Sequence, residues 1–217
     1  MQNDKTKDLF HFHFLVFLWG FTSILGAVIS LESIQIVWYR MFIAFLLVGI
    51  YIYIKKKEKF KIPKKFYFQL TFAGVLISLH WVAFFYAIKI SGISLTLSIM
   101  ASGAFVTSLI EPLFFKRKIS LKELTFGSIT LVGLIIIFRA EFDQYIGISI
   151  AFSATILSVI FTLINSKLVK QKLSPTSITF YELFVGWFAI SIYLLFDVDM
   201  MKSLFKIGQN DLILLLI

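Results

Sequence analysis

The chain has 217 residues, of which 59% are hydrophobic and 15% charged, and it carries a formal net charge of +9. So few charged residues cannot cover the surface of a soluble domain, which excludes an ordinary soluble protein. The basic residues lie in short gaps between apolar runs rather than on one folded face, which excludes nucleic acid as a partner and favours anionic lipid headgroups.

Seven apolar runs follow one another, each near the roughly 20 residues with which a helix crosses a bilayer. They cover residues 10–29, 34–54, 66–88, 94–115, 124–138, 146–169 and 177–196. The fifth is the shortest and starts nearer Leu121, and Pro112 should kink or loosen the last turn of the fourth. Because helices satisfy their own backbone hydrogen bonds in lipid, the runs predict an all-α integral membrane protein, a polytopic helix bundle.

The distribution of lysine and arginine predicts the orientation of this bundle. Of the 21 basic residues, sixteen lie in the N-terminus and in the second, fourth and sixth gaps. The other side has only Lys89, Arg139, Lys202 and Lys206, and Arg40 lies inside the second run. The positive-inside rule then places the N-terminus and the even gaps on the cytoplasmic side of the cell membrane.

The runs also suggest an internal repeat. Residues 39–42 of the second run (YRMF) match residues 181–184 of the seventh run (YELF). If five helices form one repeat, the odd number inverts the second copy, and inverted repeats around a midplane site are typical of transporters. We therefore expect a first repeat over residues 10–138 and an incomplete second repeat over residues 146–217.

Several motifs resemble the EamA-type members of the drug/metabolite transporter superfamily. The third run ends in HWVAFFYAIKIS (residues 80–91), and a fourth run rich in small residues follows it, SLTLSIMASGAF (residues 94–105). The stretches WYRMFIA (residues 38–44) and KRKIS (residues 116–120) are also similar to the family. The resemblance implies a ten-helix exporter or carrier of small metabolites with both termini in the cytoplasm.

Two charged residues inside the runs are candidates for binding or coupling. Arg40 lies a few residues from the outer end of the second run, and Glu182 lies towards the inner side of the seventh. A charge within the membrane costs at least ~2.5–3.5 kcal/mol on insertion scales, so each should face a partner or water. Arg40 could bind an anionic substrate group, form a structural ion pair or snorkel to the interface. Glu182 could carry a coupling proton or pair with a cytoplasmic lysine.

Three aromatic or imidazole side chains are further candidates for a cavity lining. His80 and Trp81 fall near the centre of the third run. His80 could relay protons or bind substrate, or it could make an interhelical hydrogen bond. Trp19, near the centre of the first run, could line a pocket or pack against lipid. No second histidine lies at ligand spacing from His80, so we expect no metal site.

Polar residues also recur at helical spacing. Ser94, Ser98 and Ser102 follow one face of the fourth run, and Thr155, Ser158, Thr162 and Asn165 follow one of the sixth. Such stripes either line a polar cavity or allow close helix packing. We take Ser98, Ser102 and Thr162 as cavity candidates. Small residues from Gly127 to Gly133 could form a homodimer interface, and Glu111 should pair with Lys116 or Lys122 at the cytoplasmic interface.

These patterns favour a secondary transporter, an exporter of small metabolites or drugs that alternates access around a midplane cavity. No phosphate-binding loop, hydrolase motif or metalloprotease motif is present, and the chain has no Cys, so we expect neither a cofactor nor an enzyme. A coupling proton or ion is the expected partner besides the substrate. The alternative is an integral-membrane enzyme or a receptor-like helix bundle without transport.

An eighth apolar run begins at Leu212 and extends only to Ile217. We therefore expect this sequence to be a fragment of a longer transporter, unable to transport by itself. The reading frame downstream of the Ile217 codon should continue with about two and a half further spans, which sequencing that DNA would test. A stop codon directly after Ile217 would instead indicate a remnant, or a half that needs a partner.

Overall fold

The computed structural model describes residues 2–55 and 62–216, and this part of the chain is helical without any strand. Its α-helices are α1 (Gln2–Val28), α2 (Ser33–Lys55), α3 (Tyr67–Ser91), α4 (Ile93–Met100), α5 (Gly103–Phe115), α6 (Leu121–Ala140), α7 (Tyr145–Lys170), α8 (Pro175–Leu194), α9 (Val198–Leu204) and α10 (Gln209–Leu216). Short 3₁₀ turns, Lys64–Phe66 and Phe142–Gln144, precede α3 and α7.

Seven helical segments among the described residues are long and apolar enough to cross a membrane. They correspond one to one with the seven predicted runs, so the predicted all-α polytopic fold is confirmed. The fourth span, Ile93–Phe115, divides into α4 and α5 at a two-residue turn. α5 continues past Pro112 to Phe115, and the next residue, Lys116, has a left-handed φ of 53°. The kink or loosened last turn expected at Pro112 stays a prediction.

α3 is the centre of the bundle, because it packs against both α7 and α8 along much of its length. Towards its N-terminus, Phe66, Leu70 and Ala73 form a buried cluster with Leu168 of α7 and Ile178 of α8. A second and larger cluster joins the other half of α3 to α2 and α8. The N-terminal half of α3 therefore lies between α7 and α8, and its C-terminal half packs against α2 and α8 and also against α7.

Two glycines make the closest contact between α3 and α8. A Cβ on Gly74 would lie 2.8 Å from the carbonyl oxygen of Glu182, and one on Gly186 would lie 2.9 Å from the carbonyl oxygen of Gly74. The Gly186 position also faces the sulfur of Met41 on α2, at 2.8 Å. Small residues let membrane helices approach in this way without a hydrophobic driving force. This pair therefore fixes the crossing of α3 and α8, with α2 against it.

A row of aromatic rings joins α2 to α8 beside this crossing. Trp38 stacks on Phe42, with ring centroids 5.6 Å apart, and Trp187 of α8 lies 5.5 Å from Phe42 and 5.3 Å from Phe45. The indole nitrogen of Trp38 donates a hydrogen bond to the Ser191 hydroxyl at 2.9 Å. These contacts fill the space between the two helices with side chains.

The two ends of the bundle carry different polar contacts. At the lysine-rich end, where α2, α5 and α7 finish, Arg117 bonds Glu111 at 3.0 Å and Glu123 at 2.8 Å. Glu111 therefore pairs with Arg117, whereas the sequence pointed to Lys116 or Lys122. The loop after α5 brings the planar guanidinium between two carboxylates, which suits arginine better than lysine.

At the opposite end, Asp211 connects α10 to the turn between α1 and α2. Its carboxylate accepts hydrogen bonds from the backbone N–H of Ser30, at 2.9 Å, and from the Ser30 hydroxyl. The hydroxyl and backbone hydrogen bonds from Ser30 hold the pKa of Asp211 below its ordinary value, with help from nearby Lys89. The charged carboxylate thus tethers the last described helix.

We expect Gly186→Ala to destabilise the bundle by about 1–3 kcal/mol, because the added methyl group overlaps the Gly74 backbone, which cannot move aside without separating the helices. The measurement is the temperature at which purified protein loses its monodisperse elution. Gly133→Ala is the matched control, since nothing lies within 4 Å of its Cβ position. Equal behaviour of the two variants would contradict this role for the glycine contact.

We expect Asp211→Asn to increase hydrogen exchange in α10. Since the folded pKa is lowered, the stabilisation by the charged carboxylate is fully present above the ordinary aspartate pKa and is lost only as pH falls through the lowered one. The difference between wild type and variant should therefore be the same at pH 6 and pH 8. A difference that changes between these two pH values would show that another group controls the tether.

Candidate functional site

A buried carboxyl–amide pair lies where α7 and α8 meet, beside α3. Glu182 of α8 is 2% exposed, and its Oε2 accepts a hydrogen bond from Nδ2 of Asn165 on α7 at 3.0 Å. Its other oxygen, Oε1, is buried without a hydrogen-bond partner, and so is Oδ1 of Asn165. Ionisable residues inside a membrane are costly and usually functional. This pair is therefore the strongest candidate for a functional centre.

The local sequence explains why Glu182 is so enclosed. Gly74 and Gly186 bring the α3 backbone against the α8 backbone at the Glu182 carbonyl. On the α7 side, Leu163 and Ile164, which precede Asn165, are buried. Within the described residues no lysine or arginine forms an ion pair with Glu182. The amide of Asn165 is the polar group that faces it.

His80 connects α3 to α7 deeper in the bundle. Its Nδ1 donates a hydrogen bond to the carbonyl oxygen of Ala154 at 2.8 Å, while its ring stacks with Phe84 and contacts Phe161. In a neutral imidazole this assignment leaves Nε2 as an acceptor. The interhelical hydrogen bond considered from the sequence is present, and it holds the ring between the two helices.

Arg40 lies at the other end of α2 from the lysine-rich loops. Its Nη2 lies 3.5 Å from the hydroxyl oxygen of Thr22 on α1, and its guanidinium carbon lies 5.6 Å from the ring centroid of Phe85 on α3. Among the described residues no carboxylate forms an ion pair with it. The structural ion pair considered from the sequence is therefore absent from this part of the chain.

The remaining candidates occupy different surroundings. Trp19 is 64% exposed on α1, and Ser98 and Thr162 are exposed on α4 and α7. Trp81 is half-buried against the cluster shared by α2, α3 and α8. Ser102, at the turn between α4 and α5, is fully buried, and its hydroxyl oxygen has no hydrogen-bond partner. The candidates thus do not form one continuous surface.

The polar candidates are distributed over the depth of the bundle. His80 and Glu182 contact α7 at Ala154 and Asn165, which are eleven residues apart and therefore separated by about 16 Å along the helix. A groove of about 680 Å³ lies between α6 and α7 near Phe138, Arg139 and Phe152, and none of the predicted residues lines it. No group of three metal-ligating side chains occurs within the described residues.

Sequence reasoning placed Asn165 in a polar stripe but did not select it, and it missed two further groups. Gln69 Oε1 and Trp187 Nε1 are both buried without a hydrogen-bond partner. Gln69 is an amide in the first turn of an apolar span, which is a readable signal. Trp187 follows the contact glycine Gly186, but a tryptophan in an apolar run is by itself unspecific.

The EamA-like transporter family matches residues 9–139, which is more than half of the chain and covers α1 to α6. No curated protein and no solved structure shows a significant match. The family is one of helical membrane transporters, in agreement with the seven apolar spans and with the motifs in the third and fourth of them. The chain belongs to the EamA-like transporter family and is a multi-pass membrane transporter of the drug/metabolite type.

Proposed function

We propose that this protein exports small metabolites from the cell by alternating access, and that Glu182 carries the coupling proton. The observation that supports the coupling is the pair of unpartnered oxygens on Glu182 and Asn165. The second part of the proposal is orientation, with the lysine-rich end in the cytoplasm, which follows from the positive-inside rule.

The hydrogen-bond inventory of the pair favours a proton. With Glu182 ionised, the two groups offer four oxygen or nitrogen atoms but share one hydrogen bond, from Asn165 Nδ2 to Glu182 Oε2. A carboxylic acid has one O–H donor, and a primary amide has one acceptor oxygen. A proton on Glu182 supplies an O–H donor, the type of group that Asn165 Oδ1 lacks. It also leaves no net charge in the membrane.

The position of Glu182 suits a coupling residue. It lies about 10 Å from the start of α8, at the glycine crossing with α3. Opening a path to Glu182 requires α3, α7 and α8 to move relative to each other, since all three enclose it. Loading or removing the proton changes the charge at this interface, so the two states of the bundle are stabilised differently. This links protonation to helix movement.

In this proposal, the two repeats expected from the sequence, residues 10–138 and 146–217, move relative to each other. The pair and its neighbours lie on α3 from the first repeat and on α7 and α8 from the second. Rocking of one repeat against the other would expose the interface to each side of the membrane in turn. Substrate and proton would then exchange from opposite sides in successive states.

We expect Glu182→Gln to abolish transport driven by a pH gradient, reducing it at least about tenfold, while the protein stays folded. A glutamine amide reproduces the donor and acceptor of the protonated carboxyl, so the variant should remain in the proton-loaded arrangement. The measurement uses the protein with any residues that follow Ile217 in its gene, in vesicles that contain a pH-sensitive dye. Labelled amino acids, nucleobases and ethidium are tested as substrates under an imposed pH gradient.

The matched control is Glu32→Gln, the same chemical change at an exposed position in the α1–α2 turn. It should leave gradient-driven transport unchanged. Proton-coupled transport that survives in Glu182→Gln would contradict the role of this residue. Wild-type transport that is indifferent to the pH gradient would contradict proton coupling altogether.

A further inference from the structure

Arg40 is a cation within the membrane that lacks a counter-ion among the described residues. The two acidic side chains described above already have hydrogen-bond partners, since Glu182 accepts from Asn165 and Asp211 accepts from Ser30. An arginine buried in a span usually pairs with an acid, a backbone carbonyl or water, because its charge is costly in hydrocarbon. Arg40 has instead one long hydrogen bond to a hydroxyl. The positive charge of Arg40 is therefore not neutralised by any described residue, which favours the binding of an anion.

Three helices hold the guanidinium at one depth. Arg40 lies about 10 Å from the start of α2, while Thr22 and Phe85 each lie about 9 Å from the ends of α1 and α3 on the same side. A guanidinium that snorkels would extend towards the membrane surface. This one contacts Thr22 of α1 and Phe85 of α3 at its own depth, so it lies against these two helices.

Residues of α1 and α3 hold the Arg40 guanidinium in position. Gly26 on α1 would place a Cβ 2.3 Å from the Phe85 ring, so only glycine allows that ring to lie close to α1. The guanidinium lies over this buried ring, with its carbon 5.6 Å from the ring centroid, in a cation–π contact that leaves its charge in place. The Thr22 hydroxyl donates to the Leu18 carbonyl oxygen at 3.4 Å and thus offers only its oxygen to Arg40. The other N–H groups of the guanidinium remain for a ligand.

We infer that Arg40 binds the carboxylate of the transported substrate, and that the substrates of this transporter are small organic acids. The planar fork of arginine N–H groups matches the two oxygens of a carboxylate, and such charge-assisted pairs are among the strongest hydrogen bonds in proteins. The Phe85 ring beside the guanidinium would contact the organic part of the ligand. The inference rests on the proposed transport function for its meaning, but binding itself can be measured separately.

The test measures carboxylate binding to purified, delipidated protein, again with any residues that follow Ile217 in its gene. Thermal stability is recorded at fixed pH and ionic strength with acetate, benzoate or N-acetylphenylalanine, and with the neutral amide of each. A ligand that binds the folded state raises its stability. We expect at least one acid to stabilise the protein where its amide does not, and Arg40→Gln to weaken this binding by about tenfold or more.

Two further variants sharpen the result. Arg40→Lys keeps the charge but not the fork, so it should bind the acid with intermediate affinity. Arg139→Gln is the matched control, because Arg139 is exposed at the end of α6, away from Arg40 and its neighbours on α1 and α3. This variant should bind the acid like wild type. The inference is overturned if no acid stabilises more than its amide, or if Arg40→Gln binds the acid as tightly as wild type. It is equally overturned if phosphatidylglycerol, and none of the acids, gives the Arg40-dependent stabilisation.

The two proposals fail separately. The binding assay has no pH gradient and does not use Glu182, so Glu182→Gln should still bind the acid. Wild-type transport that is indifferent to the pH gradient, together with Arg40-dependent acid binding, would overturn the proposed role of Glu182 and support the anion site. Retained proton coupling with no Arg40-dependent acid binding would do the reverse.

Discussion

The backbone contact between Gly74 and Gly186 determines the arrangement of the rest of the bundle. In hydrocarbon, helices gain little from burying apolar side chains against each other, so close approach and dispersion contacts decide which faces meet. Because the α3 and α8 backbones touch here, Glu182 is enclosed, Met41 of α2 is held against the crossing, and α7 closes the third side. The buried carboxyl–amide pair lies beside this crossing.

The two charged residues inside the bundle, Glu182 and Arg40, have different ways of losing or balancing their charge. Near the lysine-rich end, Glu182 has an amide neighbour and can be made neutral by one proton. Near the other end, Arg40 cannot lose its charge at any physiological pH, so only a ligand or water can balance it. The two proposals therefore assign the coupling proton to one end of the bundle and the substrate anion to the other.

Much of the fold follows from residue type and run length alone. The seven spans and the interhelical hydrogen bond of His80 were both accessible from the sequence, because each depends on local chemistry or on burial in lipid. The pairing of Glu182 with Asn165 and of Glu111 with Arg117 was not. These contacts depend on how each helix is rotated and where it crosses its neighbours. A run that is apolar on all sides carries no signal for that rotation.

The row of aromatic rings between α2 and α8 gives the protein an optical property of its own. Trp38 and Trp187 are two of the four tryptophans, and their ring centroids are 5.9 Å apart across the helix interface. Indoles at this separation couple their excited states, so the near-ultraviolet circular dichroism of the pair depends on the angle and distance between the rings. Any sliding of α2 along α8 alters that signal without an attached dye. The relative motion of these helices is thus spectroscopically visible in the unmodified chain.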